Sequence, residues 1–150
     1  MNNSLLTEEE IKIWHMWKKT FKSIYGRIEK DSIENTGLSE GDFIILDRLM
    51  CLGGGTLRQH ELSEAVEWTK SRLSHHLTRM EKRGLVIRAP FNNKTGVEVS
   101  ITDVGKMTLE NAYPIIYKGV KKYFIEQLTE QDIESITKLA NRVNEYFITR

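Results

Sequence analysis

One cysteine, Cys51, stands among 150 residues, so no disulfide can close within the chain, and the sequence reads as cytoplasmic. No apolar run approaches the roughly 18 residues needed to cross a bilayer, so no membrane association is expected. The opening residues, MNNSLLTEEE, carry neither a basic start nor an apolar stretch and do not read as a secretory signal. Internal repeats, low-complexity tracts and linkers are missing, which points to a single domain. Catalytic signatures are equally scarce. Gly53-Gly54-Gly55 lacks the Lys and Ser/Thr that complete a phosphate-binding loop, and there is no nucleophile elbow or histidine-carboxylate metal motif. Of the four histidines, His75 and His76 are adjacent, diverge by about 100° on a helix and cannot readily share one ion. Neither an enzyme nor a cofactor nor a metal site is expected.

Against this background one segment is distinct. Between Thr69 and Lys94 lie Lys70, Arg72, Arg79, Lys82, Arg83, Arg88 and Lys94 against a single acid, Glu81, although the whole chain carries only +1. The remainder is therefore net acidic. Such polarity concentrates a positive field where a polyanion can dock and repels it elsewhere. With 39% hydrophobic and 29% charged residues, the chain is polar for a globule, which favours long helices with one exposed face.

Helix signals recur along the chain. Thr7-Glu8-Glu9-Glu10 is a capping box ahead of Ile11, Trp14, Trp17, Phe21, Ile24, Tyr25 and Ile28 at helical spacing, predicting a first helix that ends before Gly37. Seven large apolar groups on one stripe must cover a core or meet a second subunit. Ser39 and Asp42 cap a second helix carrying Phe43, Ile44, Leu46, Leu49 and Met50, stopped by the three glycines. A short third helix spans about Arg58 to Val66, and Trp68 marks a turn. The fourth runs from about Thr69 to Arg83, with Gly84 placed to cap it. Leu73, Leu77 and Met80 share one face, while Ser71, Ser74, His75, Thr78 and Lys82 lie opposite, with Arg72 and Arg79 to one side. Two β-prone runs, Leu85 to Arg88 and Val97 to Ile101, flank a polar loop from Phe91 to Gly96, as in a hairpin. Thr102-Asp103 opens a fifth helix that Pro114 is expected to bend, and Thr129 to Asp132 caps a sixth bearing Ile133, Ile136, Ala140, Val143 and Phe147. A helix with a basic outer face leading into a hairpin can offer one element to a major groove and another to the flanking backbone.

The run Ser71 to Val86, SRLSHHLTRMEKRGLV, followed by Arg88 and by Ile101-Thr102-Asp103-Val104-Gly105, resembles the recognition helix and wing exit of the MarR family of bacterial transcription regulators. The order helix, helix, short strand, helix, helix, wing, helix, helix resembles that family over nearly the whole chain. The resemblance implies a mainly α fold with a minor β component. A winged helix-turn-helix lobe would span 38–102, and the dimerisation helices would lie in 1–36 and 103–150. It further implies a homodimer on a pseudo-palindromic double-stranded DNA operator, usually a repressor released when a small aromatic or phenolic ligand lodges between the dimer helices and the lobe. His15, Trp14 and Trp17 lie where such a pocket could form, although aromatics at this spacing read first as core.

Lys70, Ser71, Arg72, Ser74, His75, Arg79, Lys82, Arg88, Asn93 and Lys94 are the candidate DNA contacts. Arg72 is the candidate base reader, because a guanidinium can address both acceptors of a guanine edge. Lys70, Lys82, Arg88 and Lys94 are expected at phosphates. The loop Asn92 to Gly96 departs from the family's usual Asp and Arg at the hairpin tip. Lys94 cannot reproduce arginine's planar fork in a minor groove and is expected to add affinity more than selectivity. His76 lies nearer the packing side, where a hydrogen bond to a neighbouring helix is expected. Two alternatives compete: a winged-helix module for protein partners, and a redox sensor through Cys51. That cysteine is expected to be a buried structural thiol, since no cation adjoins it in sequence.

Overall fold

The computed structural model describes residues 5–92 and 95–149. The observed order is α1 (Glu8–Thr36), α2 (Glu40–Gly53), β1 (Thr56–Arg58), α3 (Gln59–Ala65), α4 (Lys70–Lys82), β2 (Val86–Pro90), β3 (Val97–Ile101) and α5 (Asp103–Tyr123). A 3-10 turn (Ile125–Gln127) and α6 (Glu130–Ile148) follow. This mainly helical architecture with a small sheet is the one the residue patterns predict.

Local chemistry sets the boundaries. Thr7 Oγ1 accepts from the Glu10 amide at 3.2 Å while the Thr7 amide donates to Glu10 Oε2 at 2.7 Å, so α1 begins on a closed capping box. Ser39 and Asp42 do the same for α2, and Thr129 and Asp132 for α6. Pro114 sits inside α5 without ending it.

The sheet is antiparallel in the order β1-β3-β2, with Leu57 opposite Val99 and Val86 opposite Ile101. The Phe91 amide donates to the Gly96 carbonyl at 3.2 Å, closing the base of the wing loop, and Asn93 and Lys94 lie outside the described residues. Asn92 and Gly96 both take positive φ, as a tight polar loop requires.

Among the described residues, fifteen apolar ones form one core running from Leu38 through α2, α3, α4 and the sheet to Leu109 and Ala112. Its last members, Leu109 and Ala112, lie on α5, which also packs along α1. Tyr113 donates to Asp47 and Tyr123 to Asp31, both at 2.7 Å, fastening α5 to α2 and to α1. Burial pushes the Tyr113 hydroxyl's pKa up, and the hydrogen bond to Asp47 adds to it.

Cys51 departs from expectation: it is exposed, with Sγ 3.6 Å from Asp47 Oδ1. Two residues past the buried Leu49, it is turned about 200° around the helix and leaves the core face.

Candidate nucleic-acid interface

Helix α4 is built to show one face. The Thr69 hydroxyl accepts from the Arg72 amide at 3.2 Å, fixing the first turn. At the other end Gly84 adopts φ +72°, and the Gly84 and Leu85 amides donate to the carbonyls of Glu81 and Met80. That pair of bonds is a Schellman stop, for which a residue without Cβ is favoured. Leu73, Leu77 and Met80 are fully buried. On the outward side Lys70, Ser71, Arg72, His75, Thr78, Arg79 and Lys82 are exposed and Ser74 is half-buried. The turn entering the helix contains Glu67 at φ +56°, a left-handed conformation uncommon for a residue other than glycine.

Arg88, expected at phosphate, has partners within the protein. Its Nε donates to Glu81 Oε1 at 2.7 Å, its Nη2 to Thr78 Oγ1 at 2.8 Å, and its own amide to Glu81 Oε2 at 3.2 Å. The guanidinium therefore clamps β2 onto α4. The sole acid of the basic segment is its partner, which also neutralises that pair. Asn93 and Lys94 lie outside the described residues, so the expected wing contacts have no described geometry.

The two remaining arginines of the outward face, Arg72 and Arg79, are exposed yet engaged. Arg72 lies 3.8 Å over the Trp68 ring, and Arg79 Nη2 stands 3.0 Å from His76 Nδ1. His76, half-buried, meets Asp42 Oδ1 through Nε2 at 2.8 Å, the expected bond to a neighbouring helix. Arg83 completes the set, donating to Asp42 Oδ2 and to the Gly37 carbonyl, each at 2.7 Å. Asp42 is only 2% exposed. Burial pushes its pKa up, but hydrogen bonds from His76, Arg83 and the Ser39 amide outweigh this and hold it well below the usual carboxylate range. Glu40 is raised instead, by burial first and then by the charge of Glu29, with Arg72 opposing.

Sequence reasoning did not assign Trp68, Asp42 or Arg83 to the interface, and it read Asp42 only as a cap. Asp42 lies 34 and 41 positions from His76 and Arg83, so no local pattern signals the cluster. Arg58 was missed as well: it lies 3.8 Å over the Phe91 ring at the root of the wing. His75 and His76 point apart, and among the described residues no three His, Cys, Asp or Glu gather as a metal site. No helix among them is long and apolar enough to cross a membrane.

A family described as a domain of unknown function, DUF7343, matches residues 45–89. An uncharacterized HTH-type transcriptional regulator of Bacillus cereus is 32% identical over 91 residues, and that match spans 60% of this chain and 60% of the relative. Among solved structures, the fold is similar to AbsC, a MarR family transcriptional regulator from Streptomyces coelicolor, with 28% identity. Its TM-score is 0.84, covering 99% of this chain and 100% of that one. Sco3205, a MarR family regulator of the same organism solved in complex with DNA, matches at 26% identity and a TM-score of 0.83, covering 93% and 89%.

Proposed function

We propose that this chain is a MarR-type winged helix-turn-helix transcriptional regulator that binds duplex DNA sequence-specifically as a homodimeric repressor released by a small ligand, a reading supported by its similarity to AbsC, Sco3205 and the Bacillus cereus HTH-type regulator. The observation that carries this reading is the division of α4: three fully buried apolar residues on one side and a polar, basic side open to solvent on the other. A helix anchored in this way can enter a major groove without leaving its own core. Lys70, Ser71, Arg72, Ser74, His75, Arg79 and Lys82 are the proposed contacts, and Arg72 is the first choice for reading a guanine. Arg88 holds β2 and α4 together beneath them.

Two further observations support the dimer and its ligand. A groove of about 890 Å³ between α1 and α6 is lined by Ile13, Trp14, Trp17, Leu139 and Val143, and a second copy would cover it. Two-fold pairing would place two α4 helices at half-sites roughly 34 Å apart. A separate cavity of about 280 Å³ between α1, α2 and α5, lined by Tyr25, Ile28, Ser32, Phe43 and Ile116, lies between the dimer helices and the lobe. A ligand there releases DNA only if it binds more tightly to a dimer whose two α4 helices are wrongly spaced.

Selection of bound duplexes from a random pool tests the reading. An enriched pseudo-palindrome is expected, with affinity that falls steeply as salt rises, by a log-log slope of about −0.9 per phosphate neutralised. Arg72→Ala should cost roughly 1–3 kcal/mol of discrimination at one base pair of each half-site. No enriched sequence and a shallow salt dependence would mark a winged-helix module for protein partners instead.

A further inference from the structure

We infer that His76 is a positioning residue for DNA reading: it joins a buried carboxylate to Arg79 and, through Trp68, to Arg72, and so sets the directions in which both arginines leave α4. This rests on the DNA-binding reading above. A guanidinium only donates, so His76 Nδ1, 3.0 Å from Arg79, must accept, and Nε2 therefore carries the proton given to Asp42 at 2.8 Å. Asp42 is itself fixed by the Ser39 amide and by Arg83, which makes it a rigid anchor on α2. The imidazole meets the indole of Trp68 edge-on, with centroids 5.2 Å apart, and that indole carries Arg72 at 3.8 Å.

Gly41 supplies an independent sign that the platform is built and tight. A Cβ there would lie 2.8 Å from His76 Cε1 and 2.9 Å from Trp68 Cη2, so both rings rest on the backbone of α2. Arg72 and Arg79 are seven residues apart and share a helix face. Both are exposed, yet one platform holds them before any ligand arrives. Such order lowers the entropy lost on binding and narrows the base edges each side chain can reach.

Two variants separate the roles of the two ring nitrogens. His76→Gln retains a donor near the Nε2 position and loses the acceptor for Arg79, whereas His76→Asn retains an acceptor near Nδ1 and loses the bond to Asp42. In duplex selection, His76→Gln should reduce base preference about tenfold at the pairs facing Arg79, and His76→Asn, which keeps the acceptor but not its anchor, should reduce it by a smaller factor. In the free protein, NMR relaxation of the Arg79 Nε–H should show an ordered guanidinium in the wild type, a mobile one in His76→Gln and an intermediate one in His76→Asn. An enriched palindrome with the same preferences in all three proteins would overturn the positioning role and leave the DNA-binding reading standing. A parallel loss in both variants that merely follows their melting temperatures would also overturn it, by showing a structural role alone. A wild-type pool with no enriched sequence would remove the DNA-binding reading and this role together.

Discussion

The lobe around α4 and the tips of α1 and α6 have both collected apolar residues, with opposite outcomes. In the lobe, Leu38, Ile45, Leu46, Leu49, Leu62, Leu73, Leu77 and Met80 are completely buried within one chain. At the tips, Ile13, Trp14, Met16, Ile133, Tyr146 and Phe147 are all more than 49% exposed, and no residue of α6 is fully buried. Equal hydrophobicity therefore does not mean equal self-sufficiency. The lobe closes on helix, sheet and helix, whereas α1 and α6 face each other across an open groove. This contrast places the buried stability of the chain in the first region, and the second is the face that the proposed dimer would cover.

Charging the groove would break the contrast most sharply. Leu139→Glu places a carboxylate among Trp14, Trp17 and Val143, and a two-fold dimer would carry it twice. A loss of about 3 kcal/mol per copy is expected in association, seen as monomers in sedimentation at micromolar concentration. Leu77→Ala, by contrast, should lower unfolding stability by about 3–5 kcal/mol and leave the oligomer's contacts in place. If Leu139→Glu instead lowered the melting temperature and left the sedimentation coefficient unchanged, the groove would be part of the protomer's own packing.

The polar counterpart of the lobe's core is the Asp42 cluster, whose effect is smaller and depends on pH. A carboxylate with a depressed folded pKa contributes stability that is fully present above its unfolded value of about 3.9. That contribution is lost as pH falls through the folded value. Thermal stability should therefore decline on acidification below about pH 4, and Asp42→Asn should flatten this decline while costing about 2–3 kcal/mol at neutral pH. An unchanged acid limb in the variant would show that Asp42 is not its source.

The same division separates what the residue order discloses from what it conceals. Periodicity places Leu73, Leu77 and Met80 inward because three apolar positions on a 13-residue helix admit only one packing side. Capping boxes mark α1, α2 and α6 because donor and acceptor lie three residues apart. Partnerships across long separations have no such trace. Arg88 reads as a free cation beside a wing, yet Glu81, seven residues back, claims it only after the chain reverses at Gly84. Cys51 follows two buried-looking neighbours in sequence, and only the rotation of α2 brings it outside. Trp68 reads as turn punctuation because the platform it forms with His76 exists only once both rings rest on Gly41 of α2, 27 residues before it in the chain.

The smallest expected effect sharpens the comparison from the lobe's side. Glu67 is exposed and holds φ +56° between α3 and α4, where its amide donates to Glu64 and the next amide donates to Ser63. A side chain in the left-handed region costs about 1 kcal/mol or somewhat more, from crowding between Cβ and the following carbonyl. Glu67→Gly removes that crowding, while the extra freedom of glycine in the unfolded chain returns about half of the gain. A net stabilisation of about 0.5 kcal/mol should raise the melting temperature by roughly 1–2 °C. It should leave dissociation of the proposed dimer unaltered, since the turn lies beside α4 and not beside the α1–α6 groove. A fall in melting temperature would show that the unfolded-state entropy exceeds the relieved strain, and a change in dissociation would show that the two regions are coupled through α3.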